Sequence, residues 1–271
     1  MDFSVLISIY RGESPAYFRE ALDSLFAQTL QPAEIVLVRD GPLTPELDAV
    51  IAEYTARHPL FRIVRNETNL GLGPALARGV RACSHEYIVR MDTDDIIPPE
   101  RFAKQIARLE EGYDVVSCWS QTFEGDPSRV IAVKRRPEHH EEILRLAHRR
   151  SPVCHAGSAF RRSAVLGAGN YEDHPYYEDY DLWVRMLLRG CRFYNIQEVL
   201  YYVRTSRAMI ARRGGWKYMV REIGCFRRFY RLGFYTPGDL LRNIATHSVV
   251  RILPVGVRAW ALKRIWNTKQ Q

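Results

Sequence analysis

The sequence has no CxxC pair, and its five cysteines are widely spaced and odd in number. This pattern indicates neither a zinc site nor a disulfide framework, so we expect reduced thiols in a cytoplasmic protein. No apolar run approaches the roughly 20 residues that a membrane-spanning helix needs. The first four residues carry no basic n-region, so we expect no signal peptide. Internal repeats and low-complexity linkers are absent, and no separately folding second domain is evident.

Acidic residues are scarce near the C-terminus. Residues 201–271 contain 15 Lys/Arg and only 2 Asp/Glu, whereas the residues before 201 carry a balance of −5 within a net charge of +8. From Trp216 to Trp266, aromatic residues alternate with arginines in this tail. The pattern predicts an anionic partner, either a membrane surface, a single-stranded nucleic acid or a phosphorylated substrate. The alternative is a helical pair that packs on the body of the protein and exposes its basic face.

Hydrophobic residues make up 46% of the chain, enough for a proper core. Over about 120 residues, short apolar β-branched runs alternate with segments of helical periodicity, and Ser14-Pro15 is typical of a helix start. This alternation predicts an α/β fold with a mostly parallel, Rossmann-like sheet and helices on both faces. After Gly125 the alternation stops. There we predict a polar surface segment, a helix over residues 141–148, and a helical tail from residue 214.

Polar residues follow three of the predicted strands directly. Tyr10 follows the first strand, Asp40 the second, and Asp92-Thr93-Asp94 the fourth. In parallel sheets, ligands bind beyond the carboxyl ends of the strands, so these residues should meet in one crevice. Asp92, Asp94 and Asp95 would repel one another without a cation, and hard carboxylate oxygens suit Mg²⁺ or Mn²⁺. Alternatively, the stretch is an Asp-rich turn in which Asp95 caps a helix starting near residue 98 or 99.

Three further stretches have both a binding and a structural interpretation. Residues 69–75 (NLGLGPA) lie between a strand and a helix, where glycines and free N–H groups would admit an anion, or would form an ordinary junction. Asp40-Gly41 would contact a base or form a turn. Asp179 would act as a general base near a helix start or cap that helix. His155 would contact a phosphate or an acceptor sugar, or serve as a hydrogen-bonded structural histidine.

These residues, taken in order, resemble the inverting glycosyltransferases of family 2, which have the GT-A fold. The resemblance covers about residues 3–207 and rests on seven points: Tyr10, Asp40-Gly41, Asn69-Leu70-Gly71-Leu72-Gly73, Asp92-Thr93-Asp94, His155-Ala156-Gly157, Glu178-Asp179 and Tyr201-Tyr202-Val203-Arg204. The chain departs from the family pattern in two places. The usual acidic pair reads Arg39-Asp40, and the QxxRW motif of processive synthases is absent. We therefore expect the transfer of a single sugar.

The resemblance implies a role for each matched residue. Asp40 would contact the nucleobase, Asp92 and Asp94 would bind the ribose and the metal-diphosphate, and Asp179 would deprotonate the acceptor hydroxyl. Further donor contacts are expected from Tyr10, Asn69, Gly71, Arg78 and Thr93. Contacts to the acceptor or the diphosphate are expected from His155, Gly157, Glu178, Trp183 and Arg204. For Arg204 a solvated surface position is the alternative.

The expected function is that of a metal-dependent hexosyltransferase that uses Mn²⁺ or Mg²⁺. It would move one sugar, from a UDP-sugar by family analogy, to a saccharide or lipid-linked saccharide in surface polysaccharide assembly. We expect a catalytic domain over residues 1–210, with a nucleotide-sugar half to residue 120 and an acceptor half after it. The extension over residues 211–271 would dock on the cytoplasmic face of the membrane rather than bind nucleic acid. The alternatives are a nucleotidyltransferase acting on a sugar phosphate and, less favoured, a nucleic-acid-binding protein.

Overall fold

Strands and helices alternate from the N-terminus in the computed structural model, which describes residues 1–205 and 215–252. The strands are β1 (Phe3–Ile9), β2 (Glu34–Asp40), β3 (Phe61–Asn66), β4 (Tyr87–Met91), β5 (Val115–Phe123), β6 (Val130–Lys134), β7 (Ala159–Arg161) and β8 (Phe193–Arg204). The helices are α1 (Pro15–Phe26), α2 (Pro45–Arg57), α3 (Leu72–Ala82), α4 (Arg101–Glu110), α5 (His140–Ala147), α6 (Arg162–Gly167), α7 (Glu178–Leu188), α8 (Trp216–Arg231) and α9 (Pro237–Ile252).

All eight of these strands belong to one sheet, in the order β3-β2-β1-β4-β7-β5-β6, with β8 paired to β5. Four of the seven strand pairings are parallel, including every pairing among β1 to β4. The predicted α/β fold with a mostly parallel sheet is therefore confirmed. The carboxyl ends of β1, β2 and β4 lie along one edge, which brings the residues after them together.

Alternating side chains of the buried strands fill two hydrophobic layers, one on each face of the sheet. In β2, Val36 and Val38 face the layer of α3, α6 and α7, whereas Ile35 and Leu37 face the layer of α1, α2 and α4. Helix α3 lies close to the sheet because Gly79 has no side chain. A Cβ at Gly79 would come within 2.3 Å of Leu6 Cδ1. This packing holds the N-terminus of α3 at the same sheet edge.

Two local predictions are confirmed and two need correction. Ser14 caps α1, accepting a hydrogen bond from the Tyr17 N–H at 3.5 Å, and α5 lies within one residue of its predicted bounds. Part of the predicted polar surface segment is strand β6, which follows β5 directly along the chain and pairs with it in an antiparallel hairpin. Asp95 does not cap α4, since that helix begins at Arg101 with Glu100 as its N-cap.

The C-terminal helices α8 and α9 share a hydrophobic cluster with α7. Phe229 is fully buried with its ring centroid 4.7 Å from that of Tyr180, and the Tyr180 and Tyr235 hydroxyls are 2.7 Å apart. Among the described residues, the tail is thus a helical pair packed on the body, and the boundary at residue 210 stays a prediction. None of the described helices has the length and apolar character needed to span a membrane. The tail residues Trp260 and Trp266 lie outside the described ranges.

Candidate active site

A cavity of about 720 Å³ opens beyond the carboxyl ends of β1, β2 and β4. It is lined by ten of the fourteen predicted site residues: Tyr10, Asp40, Asn69, Gly71, Asp92, Thr93, Asp94, His155, Glu178 and Asp179. The other four do not line it: Arg78, Gly157, Trp183 and Arg204. Both predicted carboxylate groups, one after β4 and one at the start of α7, therefore face the same space.

Arg90 fixes the position of Asp92. Its guanidinium is 2% exposed, and its two terminal nitrogens bind the two Asp92 oxygens, one of them at 3.0 Å. Burial alone would lower the pKa of Arg90, but Asp92 raises it above its usual value. The Asp92 backbone N–H also donates to the Tyr201 hydroxyl at 3.0 Å. Sequence reasoning missed Arg90, although an arginine inside an apolar strand two residues before an aspartate was a usable signal.

The carboxylate oxygens of Asp92, Asp94 and Asp95 all lie within 4.8 Å of one another. Burial, and then the charge of Asp92, raises the pKa of Asp94 to about 6. Burial and both neighbouring aspartates raise the pKa of Asp95 well above its usual value. Crowded oxygen ligands of this kind are relieved by a divalent cation, and they fit Mg²⁺ or Mn²⁺. The chemistry of the donor set therefore agrees with the predicted metal site.

Arg204 supports this loop from behind and does not face the cavity. Its Nε donates to the Asp94 carbonyl at 2.9 Å, its Nη1 to the Gly125 carbonyl at 3.2 Å, and its Nη2 pairs with Glu20. Its backbone N–H donates to Asp95 at 2.8 Å. In this structure the guanidinium holds the aspartate loop and does not line the cavity, so the expected contact of Arg204 with the diphosphate stays a prediction. The sequence alone does not show whether an arginine binds the ligand or stabilises a loop.

Asp40 holds the glycine loop in place. Its Oδ1 accepts hydrogen bonds from the Asn66 amide at 2.8 Å and from the Leu70 N–H at 2.9 Å, and its Oδ2 accepts one from the Gly71 N–H at 3.0 Å. Gly71 has φ +89°, a left-handed conformation that favours glycine. Asp40 lines the cavity and is 4% exposed, so a contact to a base would use the remaining lone pairs of its carboxylate.

Arg78 binds Asn66 from one turn inside α3. Its guanidinium donates to the Asn66 side-chain oxygen, and Asn66 in turn donates to Asp40. The predicted direct donor contact of Arg78 is not supported, since the side chain stabilises the loop from outside the cavity. Asn69, in contrast, lines the cavity, and its own side-chain oxygen accepts the Gly71 N–H at 3.2 Å.

Asp179 lies in the first turn of α7, where a helix N-terminus favours a negative charge. Tyr177 is the N-cap, so the alternative in which Asp179 caps the helix is wrong. The Ser151 hydroxyl donates to Asp179 Oδ2 at 3.3 Å. Burial, and then Asp179, raises the pKa of the neighbouring Glu178 to about 7. A carboxylate at the start of α7 thus lines the same cavity as the strand ends.

Gly73 sets the spacing between the glycine loop and α7. A Cβ at this position would lie 2.6 Å from the Glu172 carbonyl oxygen and 3.2 Å from Glu178 Cβ. The glycine loop and the helix bearing Asp179 can therefore approach this closely only without a side chain at Gly73. The close approach brings the two predicted halves of the site together.

Of three residues predicted to contact the acceptor, two are buried and one lines the cavity. Trp183 is fully buried and does not line the cavity; its ring packs edge-on against that of His155, with centroids 6.1 Å apart, and its predicted acceptor contact stays a prediction. Gly157 is buried against Tyr201, where a Cβ would meet the Tyr201 side chain at 3.1 Å. His155 does line the cavity, with its Nε2 3.0 Å from the Tyr171 hydroxyl. Burial and Arg90 hold the pKa of His155 well below its usual value, which favours the neutral imidazole.

A second acidic cluster, formed by Glu172, His174 and Asp181, is already neutralised. Arg185 Nε lies 2.7 Å from Asp181 Oδ2, and Arg228 Nε lies 2.6 Å from Asp181 Oδ1. Arg228 also pairs with Glu172 at 2.8 Å. This cluster joins α7 to α8 by ion pairs and does not require a metal.

The cavity also has walls that sequence reasoning did not predict. One wall comes from the C-terminal helices and contains Tyr218, Glu222, Phe226, His247 and Arg251. Another is basic and contains Lys134, Arg136 and Arg150. Most of the described tail aromatics, which we predicted to bind an anionic partner, are buried. The prediction missed this because composition does not reveal which face of a helix is buried. The buried set comprises Tyr218, Phe226, Phe229, Phe234 and Tyr235.

Comparison with known sequences gives consistent matches. The model of "Glycosyl transferase family 2" matches residues 4–167, and that of "Glycosyl transferase family group 2" matches residues 87–267. The amylovoran biosynthesis glycosyltransferase AmsE of Erwinia amylovora is 41% identical over 258 residues, which cover 94% of this chain and 96% of that protein. An Escherichia coli UDP-Gal:alpha-D-GlcNAc-diphosphoundecaprenol beta-1,3-galactosyltransferase is 37% identical over 265 residues, 97% of this chain and 96% of the relative.

Solved structures with a similar fold have low sequence identity. The mannosyltransferase PcManGT of Pyrobaculum calidifontis, in complex with GDP-Man and Mn²⁺, aligns with TM-score 0.65 and 18% identity over 99% of this chain and 83% of its own. S. aureus TarS 1–349 in complex with UDP-GlcNAc aligns with TM-score 0.63 and 18% identity over 100% of this chain and 76% of its own. At this identity the likeness concerns the fold, and it confirms the GT-A architecture. Together with the family models and the curated relatives, these matches establish that the chain is a glycosyltransferase belonging to glycosyl transferase family 2.

Proposed function

We propose that this enzyme is a metal-dependent, inverting glycosyltransferase that moves one sugar from a UDP-sugar to a lipid-linked saccharide. The observation that carries the proposal is that Asp92 and Asp94 at the strand ends and Asp179 on α7 line one cavity. A transferase needs a cation-binding group on the leaving diphosphate and a base on the acceptor side of the same space. The names of the E. coli and Erwinia relatives support a UDP-sugar donor and polysaccharide assembly.

The donor occupies the strand-end side of the cavity. Tyr10, Asn69, Gly71 and Thr93 line it there, within reach of a nucleoside, and Asp40 keeps the glycine loop in shape. Asp92 and Asp94 would hold Mn²⁺ or Mg²⁺, which as a Lewis acid stabilises the negative charge of the departing diphosphate. Arg90 and Arg204 fix these aspartates before the donor arrives, so little reorganisation is needed.

Asp179 acts as the general base. The acceptor hydroxyl gives its proton to the Asp179 carboxylate while its oxygen forms the new bond to the anomeric carbon. The bond from that carbon to the diphosphate oxygen breaks, and the nucleoside diphosphate leaves with the electron pair. One displacement inverts the anomeric centre. A retaining double displacement would need a carboxylate nucleophile beneath the sugar in addition.

The base is tested with the full-length protein, Mn²⁺, a panel of UDP-sugars and a saccharide-diphosphate-lipid acceptor. Asp179→Asn is expected to lower the transfer rate by about 10²- to 10⁴-fold, the range typical of a lost general base. Asp173→Asn, an exposed neighbour outside the cavity lining, serves as the matched control. Both variants should bind UDP and Mn²⁺ like the parent protein in a thermal-shift assay. Equal rates for the two variants would refute the assignment, and release of pyrophosphate instead of UDP would indicate a nucleotidyltransferase.

The C-terminal residues 211–271 are proposed to dock on the cytoplasmic face of the membrane. The described helices expose several large apolar side chains that are available for this contact: Trp216, Val220, Leu241 and Val249. Basic amphipathic helices bind anionic lipid through both apolar area and charge. Vesicle flotation tests the proposal. The protein should float with vesicles containing anionic lipid at low salt, and Trp216→Ser should reduce the floated fraction. Absence of flotation with both neutral and anionic vesicles would refute it.

A further inference from the structure

Two arginines in the basic wall of the cavity form no salt bridge with a carboxylate of the described residues. Arg136 lies between β6 and α5, and Arg150 lies in the loop between α5 and β7. Neither guanidinium has a carboxylate oxygen within salt-bridge distance in residues 1–205 or 215–252, although the charge of Asp179 acts on Arg136. The buried Arg136 Nε also has no hydrogen-bond partner among those residues. By contrast, Arg185 and Arg228, on the nearby helices, pair fully with Asp181 and Glu172.

The two arginines affect each other directly. Burial, and then the charge of Arg150, lower the pKa of Arg136 to about 10, although the charge of Asp179 acts in the opposite direction. Burial also lowers the pKa of Arg150. Placing two like charges in a desolvated wall destabilises the protein unless an anion compensates them. The arrangement therefore carries an electrostatic cost that a bound dianion would remove.

The backbone around Arg136 is fixed. Its carbonyl accepts hydrogen bonds from Trp119 Nε1 and from Gln197 Nε2, both at 3.1 Å, so strands β5 and β8 hold the segment. At the other arginine, the backbone N–H of Arg150 donates to the Leu146 carbonyl at 3.0 Å at the end of α5. A wall held in this way presents its guanidinium groups without a large ordering cost on binding.

The wall lies on the acceptor side of the cavity. Ser151 follows Arg150 directly and donates to Asp179. Asp179 is also the carboxylate whose charge acts on Arg136. The aspartates at the strand ends are bound instead by Arg90 and Arg204, which belong to β4 and β8. An anion at Arg136 and Arg150 would thus lie beside the proposed base and apart from the donor diphosphate.

We propose that Arg136 and Arg150 bind the diphosphate of the acceptor, in a second anion site separate from that of the donor. The inference rests on the proposed function, since it names the chemical group that brings the acceptor sugar to Asp179. Guanidinium groups bind phosphate oxygens through paired, charge-assisted hydrogen bonds, and two of them match a dianionic diphosphate ester. A neutral saccharide would bring no negative charge to either guanidinium, so the wall selects an acceptor whose sugar is linked through a diphosphate.

The test measures binding of farnesyl diphosphate, by calorimetry, to the full-length protein saturated with UDP and Mn²⁺. UDP fills the donor site, so binding of the probe reports a second site. Farnesol serves as the neutral probe, which separates the diphosphate from the lipid chain. Arg136→Gln and Arg150→Gln should each weaken farnesyl diphosphate binding by at least about tenfold, the scale of a lost charge-assisted hydrogen bond. Their chain neighbours Arg135→Gln and Arg149→Gln, which lie outside the cavity lining, are the matched controls.

Each outcome decides between the hypotheses. Retained UDP binding with weakened farnesyl diphosphate binding in only the two wall variants supports the inference. Equal affinities in all four variants would overturn it, as would competition between UDP and the probe for one site. Failure of UDP to bind the parent protein would count against the proposed function instead. If Arg136→Gln does not fold, Arg150→Gln and Arg150→Lys still test the site. The farnesyl diphosphate affinity of Arg150→Lys is expected to lie between those of the parent protein and Arg150→Gln.

Discussion

Glu222 is a buried carboxylate that connects helices α8 and α9, and its replacement should lower the free energy of unfolding. The carboxylate on α8 is 2% exposed, and Arg251 on α9 binds both of its oxygens, at 2.8 and 2.7 Å. His247, also on α9, lies 2.9 Å from Glu222 Oε1. In Glu222→Gln the guanidinium of Arg251 loses its carboxylate partner. Removing one member of a buried ion pair leaves an uncompensated charge in the protein interior.

The size and the pH dependence of the effect follow from the pKa of Glu222. Burial by itself raises this pKa, but the hydrogen bonds from Arg251 and His247 outweigh burial and bring it from 4.5 to about 2. At about 1.4 kcal/mol per pKa unit, the ionised form contributes about 3 kcal/mol to the free energy of unfolding. Because the folded pKa is depressed, this contribution is present above about pH 4.5 and is lost as the pH falls toward 2. The parent and Glu222→Gln should therefore differ most near neutrality and converge in acid.

Urea unfolding followed by circular dichroism at several pH values between 3 and 7 measures this difference. The matched control is Glu53→Gln, because Glu53 also pairs with two cations, Arg19 and Arg57, but its side chain is 40% exposed. Exposed pairs contribute little because water screens them, so the control should unfold almost like the parent. If Glu222→Gln lost no more stability than Glu53→Gln at neutral pH, or if its deficit persisted unchanged at pH 3, the assigned role of Glu222 would be wrong.

Three further variants test the site itself. Gly73→Ala should lower the free energy of unfolding by about 1–3 kcal/mol in urea, since its Cβ would lie 2.6 Å from the Glu172 carbonyl, and it should also slow sugar transfer. Glu178→Gln should raise the free energy of unfolding by about 3 kcal/mol above pH 7 and by nothing below pH 4.5. The reason is that the folded pKa of about 7 makes ionisation unfavourable, at about 1.4 kcal/mol per pKa unit; a gain at pH 4 would contradict this. Arg204→Lys should weaken Mn²⁺-dependent UDP binding about tenfold in a titration. A lysine cannot bind the Asp94 carbonyl, the Gly125 carbonyl and Glu20 at the same time, as the guanidinium of Arg204 does. Unchanged UDP binding would refute the role of Arg204 in stabilising the aspartate loop.

The first half of the fold follows from local patterns in the sequence. Strands β1, β2 and β4 are short apolar runs that end at Tyr10, Asp40 and Asp92, and parallel strands place such ends at one edge. The meeting of Asp92, Asp94 and Asp179 in one cavity was expected on this basis and on family resemblance. Their roles in catalysis stay predictions.

The second half could not be derived in the same way. Strand β7 has three residues, and its antiparallel pairings with β4 and β5 join residues that are distant in sequence. Arg204 and Trp183 have residue types suited to binding, yet one braces a loop and the other is buried. Arg136 and Arg150 were part of a polar stretch that composition could only describe as surface. Which neighbour a long side chain meets is decided by tertiary packing, and local periodicity carries no information about it.

The single continuous sheet limits how this enzyme can be re-engineered. Strand β7 pairs with β4 on one side and β5 on the other, so the donor and acceptor sides share a backbone hydrogen-bond network. Exchanging the chain after residue 120 with that of a relative would replace β6, β7, β8 and the last three residues of β5, while keeping β4 and the rest of β5. The side chains that pack across this boundary would then have to be optimised again. Loops at the carboxyl edge, including the one with Arg150 and Ser151, carry no strand pairing. Acceptor preference should therefore be transferable between relatives by grafting these loops, and not by exchanging halves.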